Sequence, residues 1–85
     1  MTVVIITIDT ELSAGRHAAG MPIEQNYALS IDGATRTGNF GIHWMMDEMD
    51  ARGVRGVFFV DPMPGLLFGD AIVRRIVEPI VSRGH

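Results

Sequence analysis

The fold of this chain is decided by residues 3–11, which read VVIITIDTE. The first six of them are rich in β-branched apolar side chains and predict a buried strand. Asp9 and Glu11 follow, and because they are two positions apart, an extended backbone projects both to the same side. Parallel strands present their carboxyl ends to the ligand crevice of α/β proteins, so the two acids predict a metal ligand or a general base at that edge. The alternative is that Asp9 caps the next turn and Glu11 is solvated.

The composition predicts one small domain or a part of a larger one. The chain has 85 residues, of which 47% are hydrophobic, a value within the globular range. Its apolar runs are much shorter than the ~20 residues of a membrane span, and no basic segment precedes the first of them as in a signal peptide. Cysteine is absent, which excludes disulfides and thiolate metal sites within these residues. We therefore expect a cytoplasmic protein with no membrane partner.

The charge pattern predicts no nucleic-acid partner. The net charge is −3, from 7 basic and 10 acidic residues, and no long cluster of lysine or arginine is present. The pair Arg74 and Arg75 falls on a predicted helix, where a solvated surface is the simpler interpretation.

Helical and strand patterns alternate along the rest of the chain. We predict a strand at 2–8, a long irregular loop at 12–39, a helix at 41–52, a strand at 54–60 and a helix at 67–83. The first helix follows from apolar residues at the i, i+3, i+4, i+7 spacing, namely Ile42, Met45, Met46 and Met49. Gly53 and Gly84 are suited to a left-handed helix stop, Pro79 predicts a kink or break near Glu78, and Asp61 is interpreted as a turn residue.

This order of elements predicts an α/β fold with right-handed βαβ units around a parallel sheet. Two strands are too few for such a sheet to be stable alone. A complete (β/α) barrel takes ~250 residues, so the chain corresponds to about a third of one. We expect residues 1–85 to form a single partial domain, completed by the rest of a barrel or by another chain.

The predicted loop at 12–39 leaves the edge that carries Asp9. Long segments of this kind are usually functional loops or disordered. Arg16, Asn26 and Arg36 are candidate contacts for a sugar or an acidic group. Residues 26–31 fit either a short helical turn or a strand, and the pattern does not decide between them.

Three motifs resemble the polysaccharide deacetylases, also called the NodB-homology or carbohydrate esterase family 4 domain. Residues 7–11, TIDTE, look like that family's first motif, and residues 53–60, GVRGVFFV, are similar to its second strand. The closing residues 83–85, RGH, look like the start of the element that leads to the family's His-x-x-x-His metal-binding pair.

The resemblance implies a distorted barrel of parallel strands and a metal-dependent hydrolase that removes acetyl groups from a carbohydrate, acting on C–N bonds other than peptide bonds. The usual first motif is Thr-Phe-Asp-Asp, and its first Asp, the general base, falls on Asp9. Its second Asp binds the metal and falls on Thr10, a departure, whereas Glu11 fits an Asp-x-Glu variant and would be the metal ligand. The implied cofactor is a divalent metal, Zn²⁺ above others. Its histidine ligands are expected beyond His85, which itself is expected to be structural, so this chain alone would be inactive.

Two other functions stay open. One is a deacetylase-like domain that binds carbohydrate or a partner without catalysis, which Thr10 at the metal position favours. The other is a haloacid-dehalogenase-like phosphotransferase, whose first motif is Asp-x-Asp; it is less favoured because Glu11 is unusual there and the turn at Asp61 and Pro62 lacks the expected Ser or Thr.

Overall fold

The computed structural model describes all 85 residues, Met1–His85, as two parallel strands and five helices. The elements are β1 (Ile6–Thr10), α1 (Ala14–Ala18), α2 (Ile23–Ser30), α3 (Ile42–Ala51), β2 (Gly56–Val60), α4 (Pro64–Phe68) and α5 (Asp70–Ser82). The expected α/β class and the parallel pairing of the two strands are confirmed. None of the five helices has the length and apolar character that crossing a membrane requires.

The two-stranded sheet is covered by helices on one face only. Ile6 pairs with Gly56, and the register runs on to Thr10 opposite Val60. Because side chains alternate across a strand, Ile8, Phe58 and Val60 pack against the core, whereas their neighbours on the other face are exposed. The sheet therefore has one packed face and one open face.

The core consists of nine buried apolar side chains from α2, α3 and α5, from the residue after α2 and from the segment after β1. They are Leu12, Tyr27, Ile31, Ile42, Met46, Met49, Ile72, Ile76 and Ile80. Ile42, Met46 and Met49 supply the inner face of α3, as the apolar spacing predicts, and Ile72, Ile76 and Ile80 supply that of α5. The methionines of α3 thus have a packing role, in accordance with their adaptable shape.

The segment 12–39 is not the irregular loop that the sequence predicts, because it contains α1 and α2. Ser13 caps α1 by accepting a 3.1 Å hydrogen bond from the backbone N–H of Arg16. Of the ambiguous residues 26–31, all but Ile31 are helical, since α2 extends to Ser30. Both helices are short and have few apolar positions, so the contacts that hold them are tertiary ones that periodicity does not reveal.

The bounds of β1 differ from the prediction of 2–8. The strand begins at Ile6 because β2 offers no backbone partner before Gly56, and it continues to Thr10 opposite Val60. Val3 and Ile5 precede the paired residues and are 74% and 69% exposed. The apolar pattern of residues 3–8 therefore begins before the residues whose backbone can pair with β2.

The helix predicted at 67–83 is divided into α4 and α5. Gly69 separates them with a φ of +88°, a left-handed value that favours glycine. Pro79 lies inside α5, which continues to Ser82, so of the kink or break predicted near Glu78 the break does not occur. Pro79 has no N–H to donate to the carbonyl of Arg75, four residues earlier. The hydroxyl of Tyr27 donates to that carbonyl instead, at 3.4 Å.

Three glycines fix the ends of α3 and α5. Gly53 and Gly84 follow the two helices with φ values of +65° and +81°, which confirms their prediction as left-handed stops. Gly41 precedes α3 for a different reason, since a Cβ there would lie 1.9 Å from the carbonyl oxygen of Ile31. The turn between α2 and α3 therefore depends on a residue without a side chain at this position.

Candidate functional site

The carboxyl ends of the two strands form one pocket of about 360 Å³. It is lined by Asp9, Thr10, Glu11, Phe59, Val60 and Asp61. Parallel pairing brings the ends of β1 and β2 to the same edge, as the sequence predicts. Asp9 and Glu11 therefore lie together in a cleft that is open to solvent.

Asp61, predicted to be a turn residue, forms the turn after β2 and also lines this pocket. Its backbone N–H donates to the carbonyl of Thr10 at 3.0 Å, which extends the strand pairing by one residue. Its carboxylate accepts a 3.0 Å hydrogen bond from the backbone N–H of Met63, so it also orders the turn after β2. The pocket thus contains a third carboxylate, one that is already held by the backbone.

The residues of the Asp9–Thr10–Glu11 junction differ in exposure. Asp9 is exposed and lies opposite Phe59 on the open face of the sheet, and Glu11 is also exposed. Thr10 is only 4% exposed, and its hydroxyl donates to the carbonyl of Ile8 at 3.3 Å. The two acids are therefore accessible to a ligand, whereas the threonine hydroxyl is engaged within the strand.

No arginine neutralises these carboxylates. Asp9, Glu11 and Asp61 form no ion pair, while Arg52, Arg75 and Arg83 pair with acids on the helices. Three carboxylates without a nearby cation create a negative potential in the pocket. Such a potential attracts a metal ion or another cationic group.

The donors of this chain do not by themselves make a zinc site. No group of three or more histidine, cysteine or acidic side chains has the geometry to hold a metal ion. His17 packs edge-on against Phe68, with ring centroids 5.2 Å apart, and His43 is exposed on α3. The side chain of His85 is buried against the amino end of β2, the end opposite Asp9 and Glu11. Asp9 and Glu11 offer oxygen ligands only, and a zinc centre here requires nitrogen donors from elsewhere.

The three candidates in the segment 12–39 do not line this pocket. Arg16 is exposed on α1 and donates to the Ser30 hydroxyl at 3.4 Å. Arg36 is exposed in the turn before α3 and forms no ion pair. Asn26 is 2% exposed and lies within the structure. The structure thus brings Asp9 and Glu11 together but places these three elsewhere.

The side chain of Asn26 joins α2 to the start of α1. Its Oδ1 accepts hydrogen bonds from the Ser13 N–H at 3.1 Å and from the Ser30 hydroxyl at 2.8 Å, and its Nδ2 donates to the Ser13 carbonyl at 2.9 Å. A primary amide is suited to this position because it both accepts and donates. These contacts use Oδ1 twice and one of the two Nδ2 hydrogens, so the amide serves mainly to join the two helices.

Sequence reasoning missed an apolar cavity beside the acidic pocket. It has a volume of about 90 Å³ and includes Asp61, Met63, Leu67 and Phe68. The sequence pattern predicts a helix only from residue 67, whereas α4 begins at Pro64. The available signal was the density of large apolar side chains between Met63 and Gly69, several of which are exposed.

Comparisons of the chain with protein-family models, with curated proteins and with solved structures found no match. The site is therefore interpreted from its own residues and geometry.

Proposed function

We propose that this chain forms part of a metal-dependent hydrolase that removes acetyl groups from a carbohydrate or a related amide, with Asp9 as the general base. One observation carries the proposal: Asp9 and Glu11 are exposed together in a pocket at the carboxyl edge of a parallel sheet. Two acids in such a position are typical of sites where one acid binds a metal ion and the other transfers a proton.

The two acids have different tasks in this proposal. A bound divalent metal would lower the pKa of a water molecule towards ~7 and polarise the acetyl carbonyl. Asp9, on the paired part of β1, accepts the proton of the attacking water. Glu11, one residue beyond the strand, supplies an oxygen ligand. Histidines outside these 85 residues would supply the nitrogen donors, because no histidine of the chain lines the pocket.

The proposed fold context is a barrel of parallel strands, of which this chain is the first part. The helices cover one face of the sheet, as they do on the outside of a (β/α) barrel. The open face carries Asp9 together with Val57 and Phe59, which are 44% and 58% exposed. Further strands, from the same chain or another one, would enclose these side chains.

A second candidate is a carbohydrate-binding domain without catalysis. One observation favours it: Thr10, at the position where the resembling family has a metal-binding acid, uses its hydroxyl within β1. In that case the pocket would bind a sugar through carboxylate hydrogen bonds and through stacking on Phe59.

The test compares Asp9→Asn, Glu11→Gln and the control Glu78→Gln in the protein that contains this chain. Glu78 is exposed on α5 and forms no ion pair. Co²⁺ binding and release of acetate from an acetylated sugar oligomer are measured for each. We expect Asp9→Asn to lose about 10²–10⁴-fold in turnover with metal affinity retained. We expect Glu11→Gln to lose roughly tenfold or more in metal affinity.

Each outcome separates the alternatives. Normal turnover in Asp9→Asn removes Asp9 as the base, and unchanged metal affinity in Glu11→Gln removes Glu11 from the metal site. Binding of the sugar oligomer with no acetate release in the wild-type protein supports the non-catalytic candidate. Glu78→Gln should match the wild-type protein in every measurement.

A further inference from the structure

At the amino end of the sheet, opposite the acidic pocket, a single imidazole connects three elements. The side chain of His85 is 0% exposed. Its Nδ1 accepts a 2.9 Å hydrogen bond from the backbone N–H of Gly56, the first residue of β2. Its Nε2 lies 2.8 Å from Oδ1 of Asp50 near the end of α3. Its ring also packs edge-on against Phe58, with centroids 6.0 Å apart.

The tautomer of this imidazole follows from its partners. A backbone N–H only donates, so Nδ1 of His85 has to be the unprotonated, accepting nitrogen. The proton of the neutral ring is then on Nε2, which donates to the Asp50 carboxylate. Hydrogen bonds from Arg83 and from His85 hold the pKa of Asp50 below its usual value.

A second proton has no acceptor in this arrangement. It would go to Nδ1 and would face the N–H of Gly56, so that two donors oppose each other in a buried position. We propose that His85 is a pH-dependent latch: its neutral form holds the start of β2 against the ends of α3 and α5, and protonation of Nδ1 releases it.

The surrounding charges do not remove this conflict. Asp50 favours a positive ring, but its other oxygen already accepts from Arg83, at 2.7 and 3.1 Å. Asp47 is also paired with Arg83, at 2.6 Å. The guanidinium of Arg55 lies near Gly84, 3.7 Å from the position that a Cβ on that residue would occupy. The Asp50 carboxylate of α3 is therefore the charged group in contact with the ring, and it is itself paired with Arg83 at the end of α5.

The latch acts on the strand whose other end forms the acidic pocket. Gly56 is the first residue of β2, and Phe59 and Val60 at its end line that pocket. Release of Gly56 frees one end of a five-residue strand that has a single neighbour in this chain. This inference depends on the contacts of His85 and not on the proposed hydrolase activity.

The test is residue-resolved amide exchange of Gly56 and ¹⁵N NMR of the histidine rings, measured from about pH 8 to about pH 5. At the higher pH we expect the Nε2–H tautomer for His85. The protection factor of Gly56, corrected for the intrinsic pH dependence of exchange, should fall by roughly tenfold or more at the lower pH, as expected for loss of a buried hydrogen bond.

Two variants control the measurement. His85→Asn keeps an acceptor near the Nδ1 position without an ionisable ring, and its Gly56 protection should not depend on pH. His43→Asn removes an exposed histidine of α3 and should behave as the wild-type protein. Constant Gly56 protection in the wild-type protein, the same decrease in His85→Asn, or a proton on Nδ1 at the higher pH would each overturn the proposal. If His85→Asn does not fold, the wild-type and His43→Asn titrations decide the matter by themselves.

Discussion

Replacing Asn26 by alanine should destabilise the fold, although its position in a polar segment predicts ligand contact. The amide makes three hydrogen bonds, two to the backbone of Ser13 and one to the hydroxyl of Ser30. It is 2% exposed, so water does not replace the lost bonds without local opening. The Ser13 N–H would lose its partner, and the Ser13 carbonyl would keep only the hydrogen bond from the His17 N–H.

The magnitude follows from the number of bonds. Each hydrogen bond contributes about 0.5–1.5 kcal/mol, so three give about 1.5–4.5 kcal/mol, with a central value of about 3 kcal/mol. A chain of 85 residues has a free energy of unfolding of roughly 4–13 kcal/mol. The substitution would therefore remove a large share of the stability. With a urea slope of about 1.5 kcal/mol/M, the unfolding midpoint should fall by about 2 M.

Urea unfolding followed by circular dichroism measures this effect. The matched control is Asn39→Ala, because Asn39 is exposed and its side chain makes no hydrogen bond within the chain; it should change the midpoint little. Ser30→Ala removes one of the three bonds of Asn26 and should cost about a third as much as Asn26→Ala. The reasoning is refuted if Asn26→Ala is no less stable than Asn39→Ala. It is also refuted if Asn26→Ala keeps full stability and loses only affinity for a sugar.

Two further pairs of substitutions test which contacts hold α5 in the fold. Tyr27→Phe removes the hydroxyl that donates to the Arg75 carbonyl and should lower the free energy of unfolding by about 1 kcal/mol. In a Pro79→Ala background the effect should be smaller, because a backbone N–H then reaches that carbonyl; equal costs in the two backgrounds would contradict this account. Ile76→Ala, at a residue 1% exposed, should cost about 2–5 kcal/mol. Val81→Ala on the same helix, at 64% exposure, should cost less than about 0.5 kcal/mol in the same urea measurement.

The elements that the sequence predicts best are those with strong apolar periodicity. β2 and α3 lie within two residues of their predicted bounds, and α3 buries three of the four apolar residues that define its pattern. Gly53 also ends α3 as expected. These features depend on the local spacing of side chains, which is visible in one sequence.

The elements that sequence reasoning missed depend on contacts between distant residues. Asn26 and Ser13 are thirteen positions apart, and the hydrogen bonds between them join α1 and α2. Tyr27 and Arg75 are 48 positions apart, yet the tyrosine hydroxyl satisfies the carbonyl that Pro79 leaves free. A helix interrupted by proline is a sound local expectation, and a tertiary hydrogen bond overrides it.

The part of the candidate site that depends on local spacing could be predicted from the sequence, and the part that depends on distant contacts could not. Asp9 and Glu11 belong to one strand end, so their proximity is a local property of an extended backbone. The contribution of Asp61 required parallel pairing, which the alternation of helices and strands indicates. The separation of Arg16 and Arg36 from the pocket depends on the path of α1 and α2, which the sequence pattern did not reveal.

The open face of the sheet links the burial of apolar side chains to the hydration of Asp9. Val57 and Phe59 are 44% and 58% exposed on this face, and complete burial of such side chains contributes about 1.5–3 kcal/mol each. Any element that covers them also removes water from Asp9, which lies opposite Phe59. Removal of water raises the free energy of an unpaired carboxylate and strengthens its interaction with a cation. The same packing step that stabilises the sheet would therefore make a cation at Asp9 and Glu11 more favourable, so completion of the fold and assembly of the site are expected to occur together.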